Sequence, residues 1–201
     1  MRIGVFGGTF DPVHVGHLIL AEQCREQANL DRVLFVPSAS PPHKQTQPVT
    51  PFAQRVEMLS LAISGHASFS INELEKDRDG PSYTAHTLEQ LQREQPGDEF
   101  FFILGSDSLH DLPKWYQPRR ILELATLLVV LRADWPVFNT EELKLAMQLP
   151  ADFPLRYTLV EAPLITLSSR DIRKRIAEGR SVRYMVPRAV EAYAEDKGLY
   201  R

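Results

Sequence analysis

Apolar residues follow two rhythms along this chain. Short runs, Arg2–Phe6, Arg32–Val36, Glu99–Leu104 and Leu127–Leu131, are dense in aliphatic and aromatic side chains. The first three end at Gly7-Gly8, Pro37 and Gly105, and all four predict buried strands. Between the runs, apolar residues recur at three- and four-residue steps: Leu18, Ala21, Cys24 and Ala28, then Phe52, Val56, Leu59 and Ile63, then Leu88 and Leu91. That spacing predicts amphipathic helices. Thr50-Pro51 reads as an N-cap with proline at the first helical position. Ser68–Asn72 alternates as a further strand, Tyr157–Val160 is another, and Thr84–Glu94, Pro118–Leu124 and Asn139–Gln148 are predicted helices. Ser168–Glu178 and Pro187–Lys197 are the closing helices.

Strands therefore alternate with helices, and the central strands are apolar throughout, as when both faces of a sheet are covered. The pattern predicts an α/β fold, a doubly wound and mostly parallel sheet, with residues 1–201 forming one domain. In such sheets ligands bind beyond the carboxyl ends of the strands, where the strand order reverses. Two strand ends carry glycine with polar residues, Gly7-Gly8-Thr9 and Gly105-Ser106-Asp107, and are the candidates to flank that crevice. Pro37–Pro51 holds five of the chain's 15 prolines. A structureless connection of this length is often a binding loop, and equally a stiff surface excursion.

Composition narrows the function classes. The 201 residues are 43% hydrophobic and 24% charged, which is ordinary globular usage and excludes a disordered or collagen-like chain. Net charge is −3, so a globally basic nucleic-acid binder is not expected. The single cysteine, Cys24, excludes an intramolecular disulfide and a cysteine-only zinc site. Apolar runs such as Leu127–Leu131 are far too short to cross a bilayer, and MRIGVFGGTFDP has no basic region followed by a long apolar one. These features lead to the expectation of a cytoplasmic protein with no membrane and no nucleic-acid partner.

The chemistry concentrates in GGTFDPVHVGH, residues 7–17, between a strand and a helix. Gly7 and Gly8 allow a tight turn and close approach to a ligand. Free N–H groups at a helix start favour an anion. His14 and His17 are three apart and share a face, and both imidazoles can donate to phosphate oxygens. Neither G-x-x-x-x-G-K-[ST] nor G-x-G-x-x-G is present at this turn, so side chains carry more of the phosphate contact than a glycine cradle does. The competing reading takes Asp11, His14 and His17, with Asp107 or His110, as metal ligands of a hydrolase; nothing in the spacing sets a closed tetrahedral site.

The segment resembles G-G-[ST]-F-D-P-x-H-x-G-H of the H-x-G-H nucleotidyltransferase superfamily. Within it, the chain is similar to the nicotinate mononucleotide adenylyltransferases, the bacterial enzymes of NAD biosynthesis. Val13 stands where that family usually has a second proline. Four more segments extend the likeness in the same order. Pro41-Pro42-His43-Lys44 resembles the loop whose lysine reaches the triphosphate; alone it reads as a solvated loop. Pro81-Ser82-Tyr83-Thr84 with Thr87-Leu88 is similar to the family's P-S-Y-T-x-x-T-L, where backbone N–H groups bind the pyridine carboxylate; alone, Ser82 or Thr84 is a helix cap. Gly105-Ser106-Asp107-Ser108-Leu109 with Leu112-Pro113 and Trp115-Tyr116 resembles the segment whose tryptophan stacks on the pyridine ring, beside an aspartate among the substrate and ribose contacts. Leu167–Arg173 resembles I-S-S-T-x-I-R, which holds the β- and γ-phosphates, with Arg170 in place of the usual threonine; Ser168 and Asp171 also form a capping pattern.

The resemblance implies a Rossmann-like fold and transfer of the adenylyl group of ATP to nicotinate mononucleotide, releasing pyrophosphate. It implies catalytic roles for His14, His17, Lys44, Ser168 and Arg173, nucleotide contacts from Gly7, Gly8, Thr9, Phe10, Gly105 and Asp107, and substrate contacts from Tyr83, Thr84, Trp115 and Arg132. Mg²⁺ would be bound through the phosphates of ATP, with no protein metal site. Nicotinamide mononucleotide or pantetheine phosphate as acceptor, a metal-dependent hydrolase, and a nucleotide sensor without turnover are the alternatives. The stretch beyond Arg180 adds little to the likeness. The charge is unevenly spread: Arg170–Arg188 holds seven Lys or Arg against two acids, so the −3 total conceals a basic segment suited to a polyphosphate.

Overall fold

A computed structural model describes residues 1–41, 48–131 and 139–201. Six strands form one sheet: β1 (Arg2–Gly8), β2 (Arg32–Pro37), β3 (Phe69–Ile71), β4 (Glu99–Gly105), β5 (Thr126–Val130) and β6 (Tyr157–Val160). Their order is β3-β2-β1-β4-β5-β6, and every pairing is parallel. This is the doubly wound arrangement, and its order reverses between β1 and β4.

The apolar runs become strands because both faces of each are covered. Ile3 and Val5 of β1, and Leu127 and Val129 of β5, enter one core with Leu88, Leu91, Ile121 and Leu122. Phe6 of β1, and Leu128 and Val130 of β5, enter the opposite core with Ala21, Cys24, Met58, Leu59, Ile172 and Val190. The two-residue period of a strand sends neighbours to opposite faces. Helices α1 (Val15–Gln27), α2 (Phe52–Ile63), α7 (Ser169–Ala177) and α8 (Arg188–Asp196) supply the second core. Helices α3 (Thr84–Glu94), α4 (Ser106–Asp111), α5 (Pro118–Leu124) and α6 (Thr140–Ala146) pack on the first. Among the described residues no helix is long and apolar enough to cross a membrane.

The structure corrects the sequence reading in places. Thr50 does not cap α2: Pro51 occupies the N-cap with no side-chain hydrogen bond, and the helix starts at Phe52. The third strand shrinks to three residues. Ser106–Asp111 is helical and is followed by a 3-10 turn over Leu112–Lys114; neither was predicted, because a polar stretch after glycine carries no periodicity. Asn139 lies outside its helix as the N-cap, accepting from the N–H groups of Glu141 and Glu142. Neither Ser82 nor Thr84 caps α3, whose N-cap is Tyr83 without a side-chain bond. The Ser82 hydroxyl accepts instead from the N–H of Ser40, while Ser82 N–H donates to the Ser40 carbonyl.

Candidate active site

The Gly7-Gly8 end of β1 lies beside the carboxyl half of β4, and two cavities open there. One, about 410 Å³, is walled by Gly7, Gly8, Thr9 and Ser38 on one side and by Ser82, Tyr83, Thr84 and Trp115 on the other. The second, about 220 Å³, is bounded by Phe10, His17, Gly105, Asp107 and Val130. Gly7, Gly8, Phe102, Ser108 and Trp115 line both, so the two meet over the end of β1. A Cβ at Gly8 would sit 3.0 Å from the Phe10 ring, tight enough that this buried ring would have to give way.

The loop between β1 and α1 is held by its surroundings. Phe10 takes a left-handed backbone conformation, φ 49°, and its ring is buried against Phe6 and Phe35. Its edge faces His17 at 5.1 Å, so the ring backs the imidazole as well as lining the smaller cavity. Val13 is fully buried in the core, which accounts for an apolar residue at the position where the sequence departs from the family pattern. Asp11 is buried: Oδ1 accepts from the Tyr200 hydroxyl at 2.7 Å and Oδ2 from the N–H of Thr50 at 3.3 Å. Those bonds give each carboxylate oxygen a structural partner. Among the described residues no group of three His, Cys, Asp or Glu is placed to hold a metal ion.

His14 is the N-cap of α1 and His17 its third residue. The His14 N–H donates to Nδ1 of His17 at 3.2 Å, and the rings stack with centroids 3.7 Å apart. A neutral imidazole that accepts at Nδ1 carries its proton on Nε2. The cap bond thus leaves His17 with a donor N–H at its far end. Gly16 between them is bare for a reason of space, because a Cβ would sit 3.0 Å from Nδ1 of His14.

At the start of α7, Ser168 caps the helix, accepting from the N–H of Asp171 at 3.1 Å and donating to its carboxylate at 2.6 Å. Ser169 donates to the Pro12 carbonyl, and Arg173 Nη1 to the Asp11 carbonyl at 2.7 Å. The sequence-predicted Ser168 and Arg173 are therefore on the element braced against the Gly7–His17 loop. Arg170, Arg173, Lys174 and Arg201 line an open basin of about 620 Å³ beside Asp11. Lys44 and Arg132 lie outside the described residues.

On the larger cavity, Trp115 and Phe102 meet edge to face with centroids 6.1 Å apart, and Tyr83 stacks on Tyr116 at 4.4 Å. Glu75 and Thr87 also line this cavity and form a network with Arg78: Thr87 Oγ1 donates to Glu75, and Arg78 Nη1 donates to Thr87 at 2.9 Å. Sequence reasoning missed Arg55 and Tyr200. Arg55 is 1% exposed and donates to three carbonyls of the surrounding loops, with burial drawing its pKa down. Burial pushes the Tyr200 hydroxyl above the usual tyrosine range. A polar residue inside an apolar stripe was the available signal for Arg55. Tyr200 offered none, and the stretch beyond Arg180 proves structurally tied to the site.

Comparison with known proteins agrees with this geometry. Residues 5–175 match the cytidylyltransferase-like family model. A Thermomicrobium roseum protein named a probable nicotinate-nucleotide adenylyltransferase is 48% identical over 200 residues, covering 100% of this chain and 92% of that protein. One of the same name from Thermus thermophilus is 47% identical over 201 residues, covering 100% of each. The solved structure of Plasmodium falciparum nicotinic acid mononucleotide adenylyltransferase complexed with NaAD superposes with a TM-score of 0.81 at 19% identity, over 99% of this chain and 97% of that one. With its switch-point crevice, its paired histidines and relatives of this identity over its whole length, the chain belongs to the nicotinate-nucleotide adenylyltransferase family.

Proposed function

We propose that the two joined cavities are the two halves of one adenylyl-transfer site, nicotinate mononucleotide on the Tyr83–Trp115 side and MgATP on the His17 side. The family's reaction joins the two to give nicotinate adenine dinucleotide and pyrophosphate. The observation that carries the assignment is the shared wall at Gly7, Gly8, Phe102, Ser108 and Trp115, which lets two ligands meet over the end of β1. The larger cavity has the size and the aromatic lining of a small-molecule pocket.

A phosphate oxygen of the mononucleotide forms a bond to the α-phosphorus of ATP. The bond from that phosphorus to the bridging oxygen breaks on the opposite side, and pyrophosphate leaves with the electron pair. An ionised phosphate is already a nucleophile, so no general base is needed; alignment and stabilisation of charge carry the rate. His17 donates Nε2–H toward the α-phosphate. His14, Lys44, Ser168 and Arg173 serve the rest of the triphosphate, with Phe10, Gly105 and Asp107 shaping the nucleotide side, while Thr9, expected there from the resemblance, lines the larger, acceptor-side cavity. Tyr83, Thr84, Trp115 and Arg132 serve the acceptor, its carboxylate meeting N–H groups at the start of α3. Mg²⁺ arriving with ATP would be held through the triphosphate, rather than by a protein cage, and would supply positive charge there.

We take residues 1–201 as one domain, supported by a sheet drawing strands from Arg2 to Val160 and by burial of α2 and α8 residues in one core. A buried, unpaired Cys24 supports a cytoplasmic setting. The test is product analysis after incubation with ATP, Mg²⁺ and either nicotinate mononucleotide, nicotinamide mononucleotide or pantetheine phosphate. Faster formation of nicotinate adenine dinucleotide, with equimolar pyrophosphate, is expected. Release of inorganic phosphate without any acceptor, or preference for another acceptor, refutes the assignment.

A further inference from the structure

Arg55 occupies the apolar stripe of α2 with Met58 and Leu59, where a helix of this kind normally presents a hydrocarbon side chain. A buried guanidinium survives only if its donors are met. Here each of its three nitrogens donates to a main-chain carbonyl from a separate segment. Nε donates to Thr50 at 2.9 Å, Nη1 to Thr9 at 2.7 Å and Nη2 to Ser38 at 2.8 Å. Thr9 follows β1, Ser38 follows β2, and Thr50 precedes α2. A guanidinium is a planar fork with donors in set directions, so it defines the spacing of the groups it binds.

Two of those three residues, Thr9 and Ser38, are walls of the 410 Å³ cavity. The strand exits are also tied directly, Ser38 N–H donating to the Gly8 carbonyl at 2.8 Å. On the far side of the same loop, Asp11 is held by Thr50 and Tyr200. No side chain of α2 lines either crevice cavity, so Arg55 acts on the site only through the loops it binds.

We propose that Arg55 is a positioning residue for the acceptor, its fork fixing the Thr9–Ser38 wall of that cavity in the position the mononucleotide needs opposite Tyr83 and Trp115. This rests on the assignment of that cavity to the mononucleotide. A lysine at the position keeps the charge but offers donors from a single point and cannot hold three diverging carbonyls.

The experiment compares full-length wild type, Arg55→Lys, Arg55→Met and Trp115→Ala by steady-state pyrophosphate release, varying each substrate against saturating amounts of the other. Far-UV circular dichroism checks that each is folded. Arg55→Lys is expected to raise the mononucleotide KM about tenfold, the equivalent of about 1.4 kcal/mol of binding. Its KM for ATP should stay within about twofold, with a larger acceptor effect in Arg55→Met. Should Arg55→Met not fold, Arg55→Lys decides alone. A folded Arg55→Lys protein with an unchanged mononucleotide KM, or one whose two KM values rise together, overturns the proposal while Trp115→Ala still raises the mononucleotide KM. If Trp115→Ala also leaves that KM unchanged, the cavity assignment beneath the proposal is what fails.

Discussion

Replacing His17 separates the structural and the chemical work of one side chain. In the folded protein Nδ1 accepts the His14 N–H at 3.2 Å, which is the capping bond of α1. The opposite nitrogen is the donor proposed to reach the transferring phosphate. His17→Ala removes both. Loss of one hydrogen bond at a helix start costs about 1 kcal/mol of stability. In a chain of this size that lowers Tm by about 2–4 °C. Loss of one preorganised donor to a developing charge costs about 2.7–4 kcal/mol in the transition state, or roughly 10²–10³ in kcat. His17→Glu divides the two effects. Glutamate at the third helical position can accept the N-cap N–H as a capping box does, yet an ionised carboxylate has no donor to offer where Nε2 stood. Pyrophosphate release at saturating MgATP and mononucleotide should therefore be at least as low in His17→Glu as in His17→Ala, while only the alanine variant melts early. Full activity in a folded His17→Glu protein would remove His17 from the chemistry. Activity lost in proportion to unfolding would reduce it to a cap.

Further outcomes follow from other contacts. Trp115→Ala should raise the mononucleotide KM by about 2–12-fold with little change in the KM for ATP, matching the roughly 0.5–1.5 kcal/mol of an aromatic stacking contact. Tyr200→Phe leaves Oδ1 of buried Asp11 without its donor and should cost about 1–3 kcal/mol, read as an earlier thermal melt. Burial raises the Tyr200 pKa in the folded protein, so the stability this hydroxyl adds is whole below the unfolded value of 10.0 and is lost as pH rises beyond it. The gap in Tm between wild type and Tyr200→Phe should accordingly narrow above pH 10.0; a gap that widens contradicts the burial of that hydroxyl. Burial pushes the Cys24 thiol up to about 12, so Ellman's reagent at pH 8 should label none of the native protein and one thiol per chain in guanidinium chloride. Rapid labelling of the native chain would refute that burial.

The sequence alone determined the alternation of elements and where the crevice lies. Thr84–Glu94, Pro118–Leu124 and Tyr157–Val160 were predicted to the residue, because apolar periodicity and local punctuation by proline and polar residues are written in neighbouring positions. Gly7-Gly8, His14, His17 and Trp115 were readable because a contiguous motif carries each of them. Tertiary structure alone decided how that motif is held. Arg55 is 46 residues from Thr9, and Tyr200 is 189 from Asp11. Bonds between such distant positions leave no periodic trace, since the hydrogen-bonding need of a buried guanidinium or carboxylate is met by whichever groups the folded chain brings within hydrogen-bonding distance. The tautomer of His17 is likewise a tertiary outcome, because it is the cap bond at the start of α1, rather than the identity of the residue, that puts the proton on Nε2.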